Sequence, residues 1–169
     1  MPGEEFLLTT AEIAIAFVGF SAVVVAFRES SGHRLSQFQH LQVRVMIELG
    51  FATLFFAGAP LVLSFLDLAS STVWRIAHGA FGLFLLIYFG NYHVRRRPRA
   101  DPGSSPVRSP LFVVRIVVTY GFGVLSLMAA VGLLVPAGLA LYAIGLAWVL
   151  AIAALAFLIM VTMWGRPTE

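Results

Sequence analysis

Ionisable residues within or beside the apolar runs of this chain are where chemistry would be built: Glu12, Arg44, Glu48, Arg75, His78, His93 and Arg115. A charge held at bilayer depth costs about 2.5–3.5 kcal/mol on insertion scales, so each needs a partner or a task. Their heights follow from a helix rise of about 1.5 Å per residue. Glu12 and His78 then lie about 7 Å from the midplane, towards one face. Arg75 sits one turn further out, near Asp67. Glu12, His78, Arg75 and Asp67 make a candidate outer polar layer. Glu48 and Arg115 lie about 11–12 Å from the midplane towards the other face. Arg44 precedes Glu48 by one turn and can pair with it at i,i+4. Asn91 and His93 end their span at a similar level. Glu48, Arg115, Arg44, Asn91 and His93 make a candidate inner layer.

Two uses of such residues compete. Paired charges lock helices together, because removing one partner strands the other in a low dielectric. A carboxylate near the outer mouth of a path can instead serve an ion or a proton. Glu48 with Arg44 and Arg115 reads as the first. Glu12 admits both, since it lies deeper and no basic residue of its own helix can reach it. It also heads a stripe at helical spacing: Glu12, Ala16, Gly19, Val23 and Ala26. The bulky Phe17, Phe20, Val24 and Phe27 lie elsewhere. A small stripe lets another helix approach closely. In a ring of subunits it would line a narrow apolar pore capped by carboxylates. A second stripe, Ala140, Ala143, Ala147, Ala151 and Ala154, carries no charge and reads as tight packing.

Other chemistries are poorly served. The chain has no Cys, which removes disulfides, thiolates and Cys-based metal sites. His33 and His40 share no carboxylate partner at a suitable spacing and read as solvated loop residues. Gly121-Phe122-Gly123 opens a partial dinucleotide fingerprint, but inside an apolar span with no preceding strand. Asp occurs only at Asp67 and Asp101, so no intramembrane aspartate pair exists, and no nucleophile elbow or zinc-protease motif appears. The reading is a non-enzyme with no catalytic residue, no metal and no cofactor.

The elements that must position these residues follow from composition. Of 169 residues, 60% are hydrophobic and 11% charged. A soluble domain carries about 45–50% apolar and about 25% charged residues. There is too little polar surface to coat a globule in water, which excludes an ordinary soluble enzyme and a nucleic-acid-binding domain. Five continuous apolar stretches are long enough to span, at about 6–27, 45–66, 73–93, 111–135 and 139–164. Continuous rather than alternating hydrophobicity, and the need to pair every backbone group internally, favour helices over strands. Pro60 falls within the second stretch and predicts a kink. The stretch before it carries Leu35, Phe38, Leu41 and Val45 at helical spacing, with Ser36 and Gln39 placed as a capping box. That predicts an interfacial turn of helix running into the second span. The segment 95–110 is an Arg- and Pro-rich loop, and Val135-Pro136-Ala137-Gly138 a tight turn.

All 11 basic residues are Arg. With the N-terminus outside, 10 of the 11 fall on the inner side and only Arg75 outside. The positive-inside rule therefore gives N-out, C-in. The Arg95–Arg99 run reads as a topology determinant touching lipid phosphates. The acidic N-terminus resembles neither a signal nor a transit peptide. The expectation is an all-α integral membrane protein: one domain over 1–169, a compact bundle of five transmembrane helices, multi-pass in a bacterial cytoplasmic membrane. Its partners would be the bilayer and either itself or another membrane protein, with no nucleic acid. Its expected role is a non-enzymatic membrane subunit or scaffold. The alternative is a homo-oligomeric ion channel or permeation protein using Glu12 and the small face of the first span.

Overall fold

Residues 3–30, 37–96, 110–133 and 137–162 are described by a computed structural model of the chain. They form five long helices, α1 (Glu4–Ser30), α2 (Gln37–Ser64), α3 (Ser70–Asn91), α4 (Pro110–Ala130) and α5 (Leu139–Thr162). A π-helical turn, Tyr92–Arg96, extends α3. All five helices are long and apolar enough to cross a membrane. No strand occurs among the described residues.

Local chemistry explains the ends. Glu4 and Glu5 occupy the first turn of α1, where the helix dipole favours negative charge. The helical spacing read ahead of the second span is continuous helix from Gln37, with Leu41 and Val45 buried. Leu35 and Ser36 lie outside the described residues, as do His33, residues 97–109, and the Val135 and Pro136 of the expected turn. The fourth helix is shorter than the apolar run predicts and stops at Ala130. Gly132 takes φ +78, its N–H bonds to Ala129 O at 3.1 Å, and Leu133 N–H reaches back to Met128 O at 2.8 Å. This is a Schellman cap, in which a left-handed glycine ends the helix whatever the hydrophobicity beyond it.

α2 is the hub of the bundle. α1 and α5 pack along it, α3 touches it more lightly, and α3 pairs closely with α4. α1 has no extended contact with α3 or α4. Between α2, α3 and α5 lies an aromatic core. Phe56, Phe81 and Tyr142 stand with ring centroids 5.3 Å apart in successive pairs, and Trp74 edges onto Tyr142 at 5.7 Å. Large apolar side chains on every helix point outward, among them Phe20, Phe55, Ile87, Val117 and Ile144. Such a surface is suited to hydrocarbon rather than to water.

α2 continues as helix through Pro60. Proline has no N–H, so the carbonyl four residues back, Phe56 O, loses its helical donor. Tyr142 on α5 supplies one, its hydroxyl donating to Phe56 O at 2.7 Å. Tyr142 is fully buried, so this bond forms away from water. It is a tertiary repair of a secondary-structure defect, and it fixes α5 against α2.

Candidate functional site

The polar side chains gather at the two ends of the bundle. The proximal end holds the start of α1, and the distal end holds the start of α2. At the proximal end Glu12, His78, Arg75 and Asp67 are not brought together. The reason is helix order: Glu12 rides on α1, which packs on α2, whereas His78 and Arg75 ride on α3, which packs on α4.

Each of the four has its own setting. His78 is fully buried. Its Nε2 lies 3.0 Å from Gly138 O and 3.3 Å from Gly138 N, so it ties α3 to the start of α5 in either tautomer. Its ring meets the Tyr142 ring edge-on at 5.2 Å, and Nδ1 has no hydrogen-bond partner. Arg75 is exposed and lies over the α4 cap. A methyl group added at Gly132 would come within 2.8 Å of its Nη2. A cation beside a helix C-terminus is favoured by the dipole. Asp67 is exposed in the turn after α2, with φ +52, a left-handed conformation that Asp tolerates better than most residues.

Glu12 is exposed, and neither an ion pair nor a hydrogen bond joins it to His78 or Arg75. It edges a shallow depression shared with Gly3, Glu4, Glu5, Leu8 and Thr9. Below it, Ala16, Gly19, Val23 and Ala26 are also exposed. The buried edge of α1 is formed by Leu7, Thr10, Ala14 and Ser21. At about 100° per residue these two sets lie on opposite sides of the helix. The small stripe therefore faces out of the chain, and nothing lies within 4 Å of a methyl group built at Gly19.

At the distal end two groups form rather than one layer. In the first, Arg44 Nε donates to Glu48 Oε1 at 2.7 Å, and Tyr88 on α3 donates its hydroxyl to Glu48 Oε2 at 2.8 Å. The Arg44 side chain is 65% exposed, so that ion pair contributes little; exposed pairs are worth about 0.2–1 kcal/mol. The Tyr88 bond is what carries Glu48 across from α2 to α3. Tyr88 was not identified from the sequence, because the two residues stand 40 apart and share no helical register.

Arg115 joins the second group and forms no ion pair with Glu48. Its guanidinium carbon lies 5.7 Å from the ring centroids of both Tyr92 and Phe112. That is cation–π distance. His93 stands in the same cluster, its ring 5.5 Å from Phe112 and its Nδ1 3.4 Å from the Tyr120 hydroxyl. Asn91 is half-buried at the end of α3. One more tie closes this side of α4: Trp148 Nε1 donates to Thr119 Oγ1 at 3.0 Å, and that hydroxyl donates to Arg115 O at 2.7 Å.

Among the described residues, no three His, Asp or Glu side chains gather as metal ligands. Tyr88, Tyr142 and Trp148 join one helix to another and His78 joins α3 to Gly138, whereas Thr10 and Thr53 bond back into their own helices. Among the described residues, the small face of α1 with Glu12 is open to something outside the chain, and Arg115 is half-buried. Compared with family models, curated proteins and solved structures, the chain matches none.

Proposed function

We propose that this chain is a non-enzymatic, multi-pass membrane subunit, and that α1 packs against a helix of a second copy or of a larger membrane partner. The observation that carries this reading is the outward direction of Glu12, Ala16, Gly19, Val23 and Ala26. In a bilayer, small residues give little dispersion contact with lipid but let a second backbone come close. A carboxylate on that face is costly against hydrocarbon and less so against a polar partner. The distribution of Arg supports an N-out, C-in orientation, and the Arg-only basic composition supports a bacterial cytoplasmic membrane.

The absence of Cys makes the test direct. Single cysteines at Gly19 and Val23, oxidised in the membrane at low protein density, are expected to give disulfide-linked dimers or partner adducts. Cysteines at Val62 or Ile87, exposed on α2 and α3, are the controls and are expected to stay monomeric. Gly19→Leu, which meets nothing inside the chain, should leave folding intact and abolish the α1 cross-links. Equal cross-linking at all four positions, or at none, would remove the basis for this reading.

The exposed position of Glu12 on that same face favours a second reading, a homo-oligomeric ion or proton path. Proteoliposomes holding the wild type would then pass cations or protons, and Glu12→Gln would lose that flux or its selectivity. Absence of flux in both, with correct insertion, leaves the subunit reading alone.

A further inference from the structure

We propose that Arg115 binds a phosphate group at the distal end of the bundle, an inference that rests on the membrane reading only for where the phosphate comes from. Three observations converge. First, among the described residues no carboxylate pairs with Arg115, whereas Arg44 on the same end is spent on Glu48. Second, the guanidinium lies against two rings, its carbon 5.7 Å from the centroids of both Tyr92 and Phe112. Third, the side chain is half-buried in a graded way. Nε is a buried nitrogen without a partner; among the described residues neither Nη forms a hydrogen bond, and neither is fully buried. The terminal pair is thus open to a ligand, and an open guanidinium fork can take an oxyanion bidentately.

Arg115 stands in the second turn of α4, five residues after Pro110. Phosphate fits this fork because two of its oxygens can take both Nη groups while the others stay hydrated. Arg115 also lies about 9 Å from the midpoint of its span, Phe112–Ala130. The hydrocarbon core is about 30 Å thick, so a long side chain reaches the headgroup level from there. A phospholipid headgroup and a free phosphate share this chemistry, and the experiment separates them.

The test uses the full chain in mild detergent and in liposomes. Insertion is scored first by resistance to alkaline extraction; failure there sinks the membrane reading, while the inorganic-phosphate titration still interrogates Arg115. Native mass spectrometry then measures retention of phosphatidylglycerol against phosphatidylcholine. The wild type is expected to retain the anionic lipid preferentially. R115Q should retain it about tenfold less, and R115K, which keeps the charge but loses the fork, about threefold less. R44Q should behave as wild type. Arg115-dependent displacement of the lipid by millimolar phosphate would assign the site to a free phosphate, and insensitivity to phosphate would assign it to the headgroup. Wild-type retention by R115Q and R115K overturns the proposal, as does an equal loss in R44Q. Should R115Q not fold, wild-type retention by R115K alone overturns it.

Discussion

Replacing Tyr142 with Phe is expected to destabilise the bundle by about 1–3 kcal/mol, the cost of leaving a buried acceptor unsatisfied. The acceptor is Phe56 O, which has no helical donor because Pro60 stands four residues ahead of it. The substitution removes one oxygen from a fully buried ring and changes nothing else in the aromatic core, so packing loss is small. The sharper form of the prediction is a double-mutant cycle. Pro60→Ala restores an N–H that can close the α-helical bond to Phe56 O. In that background Tyr142→Phe should cost little, and the coupling between the two positions should be about 1–2 kcal/mol. Equilibrium unfolding in mixed micelles, followed by tryptophan fluorescence, would give the four stabilities. The same penalty for Tyr142→Phe with and without the proline would mean that the hydroxyl is not compensating for it.

That repair also shows what a one-dimensional reading can reach. Five helices long and apolar enough to span a membrane are legible because a continuous apolar run of such length has few other folds available. The pairing of Arg44 with Glu48 is legible because both stand on one helix, one turn apart. Contacts between helices are not, since equal height in a bilayer does not say which helices are neighbours. Glu12 and His78 were placed at one level, yet α1 lies on α2 and His78 spends its Nε2 on Gly138. Glu48 and Arg115 share a level too, but the carboxylate takes Tyr88 and the guanidinium takes two aromatic rings. One of these partners did leave a trace. Pro60 announces a stranded carbonyl, and a buried stranded carbonyl demands a donor from some other span. Tyr142 is among the few apolar-span residues able to provide it. The end of α4 left a trace as well, in Gly132, but a run of Leu and Val beyond it masks a cap that depends on backbone conformation.

The second large effect is expected at Gly82, where the α3–α4 pair makes its closest approach. A methyl group added there would lie 2.8 Å from the carbonyl oxygen of Gly123 and 3.1 Å from the backbone nitrogen of Leu127. Neither atom can move without moving α4, so Gly82→Ala should destabilise by about 1–3 kcal/mol or more, as overpacking does. Gly145→Ala is the instructive comparison, because the new methyl there meets only the edge of Phe81, at 2.6 Å. A side chain can be trimmed, so Phe81→Leu should suppress much of the Gly145→Ala defect. Trimming Leu127 to Ala should not suppress Gly82→Ala, since the obstacle is backbone. Unfolding midpoints of these two pairs would separate the cases, and wild-type stability in Gly82→Ala would show that the helices do not need the close approach. The consequence reaches beyond stability. The approach of α3 to α4 sets Arg115 against Tyr92 and holds His93 near Tyr120, so a folded Gly82→Ala protein should lose the ordered guanidinium before it loses its helices. Its anionic-lipid retention should therefore fall towards that of R115Q while its far-ultraviolet circular dichroism stays unchanged.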